Sequence, residues 1–591
     1  MSSNNSLTNP VHQTSKEEID RKVTLIKPEC PFGEMALALS GGGYRAASFS
    51  LGAISYLQQT LHADKNDRLL QHVTFMTSTS GGSLTNAFYS SQITKPDFKF
   101  NNFFEEMRQF MDGETLTDEV FALFDNKNDW KKAHKSHNLI NAFAKAYDKR
   151  LFSGDTLDVF FKNRNTHLKG VCFNATELNN GIAFRFQTNG DPASVKTIGN
   201  YYLHFNDPEI AKNLKLGDIA AASSCFPGGF EPLCYPCDFT YPGFNNLDAM
   251  EKALDYDNNN PLKNDKVFQK PFCMVDGGVV DNQALNSLMM EDNFRAEHPP
   301  KKPFDLMMVC DVGSYFVDAY TVPEPPTGWW TRWTSAGLKA VLPIGVTIFL
   351  ASVMCYLLGD GWVRQIGEFL LIPALLYAIV YFYVRAQARK FKASMAKSSW
   401  GSVLLRYLPN FRHTTFAAVG QMLAARANST ALIVGNLFLN QERRQSYDSF
   451  YNMPAFRHRT LSCLIYEFSD QHAKERIENL REKDSKWWPG LSGDLTPSKE
   501  MATIATTATS MGTTLWFDPS EGQMRDTIII CGQFTMCYNL LKHIYRLEVL
   551  DAKWQHDANL QGLKERLIND WSEFLKKPDW LLNQYIKMSK V

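Results

Sequence analysis

The sequence predicts an α/β fold interrupted by a membrane-spanning helical hairpin. Two observations carry this. Short apolar runs end in Gly- or Ser-rich turns and pass straight into helical patterns, as strand–turn–helix units do. Further on, two stretches of 19 residues stand close together with a single acid between them in total. The chain has 591 residues, 62 basic and 62 acidic, and is 44% apolar. That composition excludes a disordered or fibrous chain. Zero net charge also excludes a surface that is basic throughout, and no nucleic-acid motif is present, so nucleic acid is not an expected partner.

The first unit begins at Met35-Ala-Leu-Ala-Leu-Ser40, an apolar run read as a buried strand. It meets Gly41-Gly42-Gly43-Tyr44-Arg45 and then a helical pattern. Strand, glycine turn and helix N-terminus present backbone N–H groups to an anion, either a phosphate or the oxyanion of a tetrahedral intermediate. The GxGxxG and GK[ST] patterns of nucleotide loops are absent.

The second unit is Val73-Thr-Phe-Met-Thr77, followed by Ser78-Thr79-Ser80-Gly81-Gly82 and another helical pattern. This is the context of a nucleophile elbow, with Ser80 as the central serine and small residues on both sides. Ser78 stands where a G-x-S-x-G motif has its first glycine. The alternative is an ordinary Ser/Gly loop. The third unit is Cys273-Met-Val275, ending in Asp276-Gly277-Gly278-Val-Val-Asp281-Asn282. An acid beside two glycines can approach another loop closely and accept the Ser80 proton. The alternative is a turn acid.

The two apolar stretches are Ala340–Leu358 and Ile366–Val384, the second holding the one acid, Glu368. Each spans roughly 28 Å as a helix, near the thickness of a bilayer's hydrocarbon core. Trp329, Trp330, Trp333 and Trp362 flank them, with Tyr381 and Tyr383 at the far end. Basic residues lie outside the pair: Arg332 and Lys339 before it, Arg385, Arg389, Lys390, Lys392 and Lys397 after it. The positive-inside rule then places both large polar parts in the cytoplasm, on an integral membrane protein with two spans. A buried helical hairpin in a soluble core and a re-entrant membrane insertion are the alternatives.

The N-terminal stretch to Lys27 is polar and has no apolar core, so it is not read as a secretory signal. Eleven scattered cysteines show no framework spacing, which fits a reducing compartment. Cys234-Tyr-Pro-Cys237 has no second ligand pair nearby and is read as a loop, with no metal site. Leu306–Asp311 reads as a further strand; Leu461–Tyr466 and Thr527–Cys531 read as strands or helix ends. Phe100–Phe161 reads as several helices with a charged patch at Trp130–Lys135, and Tyr235–Asp265 as a surface insertion. Leu560, Leu563, Leu567, Trp571 and Phe574 repeat at spacings of three and four, an amphipathic helix suited to docking on a core.

The glycine run, the serine elbow and the Asp-Gly-Gly turn, in this order, resemble the patatin-like phospholipase family. Asn174-Ala-Thr-Glu-Leu178 and Ala221-Ala-Ser-Ser-Cys-Phe-Pro227-Gly228-Gly-Phe230 are similar to two further stretches of that family. Met511–Phe517 is similar to the C-terminal part of long bacterial members. The resemblance implies a three-layer domain with a central, mostly parallel sheet. It implies a Ser–Asp dyad, Ser80 as nucleophile and Asp276 as general base, with no cofactor. Gly41, Gly42, Gly43 and Gly81 would supply the oxyanion hole, supported by Arg45, Gly82, Gly277 and Gly278. The implied substrates are fatty-acyl esters of glycerophospholipids and the implied partner is a phospholipid membrane, that of a bacterial inner membrane. A regulatory partner or ligand is a further expectation, since an uncontrolled phospholipase damages its own membrane. A catalytically weak scaffold, an acyltransferase or soluble-ester hydrolase, and a Ser-His-Asp hydrolase using His413, His458 or His543 remain alternatives. The expected division is a polar segment 1–30, a catalytic domain 31–328, the hairpin 329–398, more of the catalytic domain 399–550, and a C-terminal helical segment 551–591.

Overall fold

The computed structural model describes residues 30–62, 67–126, 130, 134–162, 165–188, 197–256, 272–313, 320–395, 411–433, 439–472, 495–512 and 522–589. The polar segment before residue 30, residues 131–133 of the charged patch, 257–265 of the surface insertion, Lys397 and the end of the Met511–Phe517 stretch lie outside these residues. Two compact units divide the chain: residues 1–316 with 438–591, and residues 317–437.

The strands are β1 (Met35–Leu39), β2 (Val73–Thr79), β3 (Gly170–Glu177), β4 (Ile182–Thr188), β5 (Ile198–Gly199), β6 (Leu203–Phe205), β7 (Leu233–Tyr235), β8 (Leu254–Tyr256), β9 (Phe272–Asp276), β10 (Leu306–Asp311) and β11 (Thr460–Leu464). The principal helices, in chain order, are α1 (Gly43–Gln59), α2 (Gly81–Gln92), α3 (Leu216–Ser224), α4 (Leu285–Glu297), α5 (Ser335–Leu358), α6 (Trp362–Met395), α7 (Phe416–Leu432), α8 (Leu439–Asn452), α9 (Gly522–Leu550) and α10 (Ala558–Lys576).

The first unit is a three-layer α/β domain. Its sheet runs β11-β10-β1-β2-β3-β4-β5-β6-β8. The first five strands are parallel, and from β3 onward the neighbours are antiparallel. Every residue of β1, β3 and β10 is buried, as parallel strands covered on both faces require. The period-two alternation of β1 divides the core. Met35, Leu37 and Leu39 join the large cluster that includes α1, α2 and α9, while Ala36 and Ala38 join a smaller one with α4 and Phe450 of α8. Leu306–Asp311 and Leu461 onward form strands, as the sequence suggests. Thr527–Cys531 instead lies inside α9, whose one face packs on α1.

That packing is backbone to backbone. A Cβ on Gly52 would lie 2.1 Å from the Ile529 carbonyl oxygen, and one on Gly532 would lie 2.3 Å from that of Phe49. The C-terminal part of the chain therefore seals the helix that follows the glycine run. α10 docks on the same core through Leu560, Leu563, Leu567, Trp571 and Phe574, all buried, the amphipathic face read from their spacing.

The cysteines depart from expectation. Cys234 and Cys273 are direct partners across the β7–β9 pair and form a disulfide, the other nine being free thiols. A partner 39 residues away across an antiparallel pair leaves no spacing signature in the sequence. Cys237, the other half of the CxxC, opens a short 3-10 turn.

In the second unit α5 and α6 form a hairpin. Gly345 lies against the Tyr377 ring, and Gly367 against the Ser352–Tyr356 backbone, so the two helices approach closely there. Many of the hairpin's large apolar side chains, among them Ile348, Leu350, Leu357, Phe369, Ile372, Leu376 and Phe382, are exposed. Among the described residues one helix, Trp362–Ser394, is long and apolar enough to cross a membrane, and Gly345–Leu358 is a shorter apolar helix. The base of the hairpin is tied off: Thr334 bridges Thr415, Ala336 N–H donates to the Arg412 carbonyl (2.9 Å), and Phe416 N–H to that of Trp333 (2.9 Å). α7 follows directly, so this unit is wider than the apolar hairpin alone.

Candidate active site

The elbow is built by β3. Along one edge of this strand, β2 pairs with Gly170–Asn174 and β9, running the other way, pairs with Ala175–Glu177. The two strands therefore meet end to end. Thr79, the last residue of β2, lies opposite Asn174, and Asp276, the last of β9, lies opposite Ala175. Ser80 and Asp276 are thus brought together at a single break in the sheet edge.

Ser80 has φ 51° and ψ −124°, a conformation that L residues rarely adopt. The fold over-determines it. Ser80 N–H donates to Ser223 Oγ (3.0 Å), and Ser223 Oγ donates to the Asn174 carbonyl (2.6 Å). Asn174 Nδ2 donates to the Ser78 carbonyl (2.9 Å). Gly81 has no room for a side chain, since a Cβ would fall 1.9 Å from the Gly43 carbonyl oxygen. Elbow and glycine run are thus in backbone contact. Gly82 stands equally close to the Leu39 and Ser40 carbonyls.

Ser78 fits its position. It is fully buried, accepts a hydrogen bond from Asn86 Nδ2 (2.9 Å) and lies 3.0 Å from Ser83 Oγ. A serine at the first position of the elbow is accommodated by this local set of polar partners.

Asp276 is 3% exposed and Ser80 8%. Burial pushes the Asp276 carboxyl up to about 6, against the interaction with the Ser80 hydroxyl and the Gly278 N–H (2.7 Å), which favour the charged form. The Asp276 main chain is fixed as well: its N–H donates to the Cys225 carbonyl (3.0 Å), and its carbonyl accepts from Thr176 Oγ1 (2.9 Å). Gly277 N–H donates to the Ser223 carbonyl (3.2 Å). A poised, buried carboxylate beside a serine is an acid–base pair able to activate the hydroxyl. Among the described residues no histidine hydrogen-bonds either group. His413 belongs to the other unit, and His543 is buried against Phe32 and pushed down to about 3 by burial.

The glycine run divides. Gly41 N–H donates to the Asn282 carbonyl (2.8 Å), so this amide, placed in the oxyanion hole by expectation, is engaged in holding the loop. The Gly42, Gly43 and Gly81 N–H groups have no partner among the described residues. Gly42 has φ 141°, and a Cβ there would strike Val312 Cγ2 at 2.6 Å. Arg45 lies in the first turn of α1. It is buried, and its Nη1 donates to the Met511 carbonyl, tying α1 to the C-terminal part of the chain. Burial lowers its pKa to about 10.

Sequence reasoning assigned no role to Ser223, Asn282 or Asn174, although all three stand inside quoted motifs. Each acts through or upon a backbone group, which leaves no side-chain pattern to read.

Fold and domain together define a lipid acyl hydrolase. Residues 37–289 match the family model of the patatin-like phospholipases. The match takes in the glycine run, the elbow and the Asp-Gly-Gly turn. A comparison with curated proteins finds no match.

Proposed function

We propose that the protein is a membrane-anchored lipid acyl hydrolase of the phospholipase A or lysophospholipase type, acting through Ser80 and Asp276. The observation that carries this is the end-to-end meeting of β2 and β9 on β3, which puts a strained serine beside a buried carboxylate. In the first step Asp276 takes the Ser80 proton as Oγ attacks the ester carbonyl. The Gly42, Gly43 and Gly81 amides stabilise the oxyanion. The proton then passes to the departing alcohol or lysolipid, leaving an acyl-serine. Water, deprotonated by the same carboxylate, releases the fatty acid and restores the enzyme.

The hairpin of α5 and α6 is the anchor in this reading, both helices crossing the bilayer and the catalytic unit facing the cytoplasm. Its exposed apolar side chains, with Trp329, Trp333, Trp362 and Tyr383 at the ends, support insertion. Tethering raises the local concentration of lipid substrate.

The test is incubation of the full-length protein with mixed phospholipid vesicles and mass spectrometry of the products. Release of fatty acid and lysolipid by the wild type, and neither by Ser80→Ala nor Asp276→Ala, is expected. Equal release by all three would sink the dyad.

A further inference from the structure

We propose that Glu442 and Arg443, in the first turn of α8, are positioning residues that hold the oxyanion loop. The inference rests on the catalytic reading above for the loop's role, and goes beyond it by adding residues well outside the family match.

Two contacts reach the loop from α8. The first runs through Asn282. The Gly278–Asp281 turn just before it packs on α8, the Asn282 backbone N–H favours the charged form of the Glu442 carboxyl, and the Asn282 carbonyl accepts the Gly41 N–H. Glu442 is held from behind by Ser446 Oγ (2.6 Å). Its other oxygen, Oε2, is buried and has no hydrogen-bond partner among the described residues. Burial, together with the charges of Asp281 and Asp311, pushes this carboxyl up to about 7. A buried carboxylate oxygen without a partner, on the helix face that packs beside the Asn282 turn holding Gly41, is poorly explained by packing alone.

The second contact runs through β10. Arg443 Nε donates to Asp311 Oδ2 (2.7 Å), Tyr447 OH to the same oxygen (2.9 Å), and Gly313 N–H to Oδ1 (2.7 Å). Asp311 is fully buried. Val312, between these residues, forms the wall against Gly42, and its N–H donates to Ser40 Oγ (3.1 Å). Ser40 N–H donates in turn to the Cys310 carbonyl (2.9 Å). The two sides of the glycine run, Gly41 and Gly42, are therefore braced by consecutive residues of one helix. Gly42 and Gly43 keep their N–H groups for the oxyanion only while both braces hold the loop in place.

The test uses the full chain in detergent micelles, with Glu442→Ala, Glu442→Gln and Arg443→Lys. Hydrogen exchange by mass spectrometry follows the peptide containing Gly41. Kinetics follow a soluble fatty-acyl ester, and thermal melting monitors folding. Glu442→Ala is expected to speed exchange at Gly41 about tenfold and to lower kcat about tenfold, with KM within twofold, since the loop acts on the transition state. Glu442→Gln keeps an acceptor for Asn282 and should restore most of both. Arg443→Lys keeps the charge but loses the planar fork, and should reproduce the faster exchange. Wild-type exchange at Gly41 in both Glu442→Ala and Arg443→Lys would overturn the proposal. Exchange does not depend on Ser80, so turnover retained by Ser80→Ala would defeat the catalytic reading while the exchange result still judges the braces.

Discussion

Thr79 and Asp276 occupy successive positions along one edge of β3, opposite Asn174 and Ala175, although 197 residues of chain separate them. Strand pairing thus sets the distance between Ser80, one residue past Thr79, and the Asp276 carboxyl. Neither loop has to hold that distance alone.

Activity should follow the ionisation of Asp276. In the proposed mechanism this carboxyl works deprotonated, and burial raises it to about 6. Hydrolysis of a neutral soluble ester should therefore be maximal at pH 7.5 to 9 and fall about tenfold per pH unit well below about 6. A pH–kcat/KM profile checks this. A limb centred near 4 would mean that the carboxylate is solvated during turnover.

The same burial has a cost in stability. A carboxyl raised from 3.8 to about 6 binds its proton more tightly in the folded state than in the unfolded one. The stability penalty is therefore absent below about pH 4, grows between about 4 and 6, and is complete above that. Asp276→Asn, which keeps an acceptor for Gly278, should be inactive yet melt higher than wild type at pH 7.5, by an amount on the order of 3 kcal/mol at most. The two should melt alike at pH 4. Thermal melting at both pH values checks this, and a lower melting point for the variant at pH 7.5 would contradict it.

Restoring the glycine of the family's elbow should not improve the enzyme. Ser78→Gly leaves the Asn86 amide without the acceptor 2.9 Å away. A loss of about 1–3 kcal/mol of stability is expected, with kcat within about threefold of wild type. Urea denaturation and turnover measure the two quantities separately. A large gain in kcat would show that Ser78 restrains the nucleophile.

Gly81→Ala should be far more damaging than its size suggests. The added methyl would sit 1.9 Å from the Gly43 carbonyl oxygen, so either the elbow or the oxyanion loop must shift. Loss of covalent labelling by a fluorophosphonate probe is the expected result, even where circular dichroism shows a folded protein. Full labelling would mean that the two loops are not in contact during catalysis.

Excision of residues 317–437 should leave the catalytic unit intact. Asp311 and Arg443, near the two ends of the cut, are in direct contact, so a short Gly/Ser link closes the gap. The shortened protein should hydrolyse a soluble ester and fail to float with vesicles. Flotation with vesicles after excision would relocate the membrane contact to the catalytic unit.

The three ends that make the site were legible because the chemistry and the strand boundary coincide there. Leu39, Thr79 and Val275 each close or nearly close an apolar run, and a glycine or serine turn follows at once. The helix of Leu560, Leu563 and Leu567 was legible by its period. Elsewhere a local signal was absent. β5, β6 and β8 are two or three residues long and are held by their neighbours rather than by their own pattern. Thr527–Cys531 is a short apolar run, and such a run reads equally as strand or buried helix until its 29-residue helix is seen. The engagement of the Gly41 amide was not legible, because the sequence shows glycines, not the Asn282 carbonyl that accepts its hydrogen bond.

The contact of Arg443 with Asp311 also closes a loop of more than a hundred residues. Pinning the ends of so long a segment costs on the order of 4 kcal/mol of chain entropy if the segment is free to wander. A segment already ordered by lipid has less freedom left to lose. If the hairpin inserts as proposed, the bilayer should then act as a remote stabiliser of the catalytic fold, tightening the end of β10 without touching it.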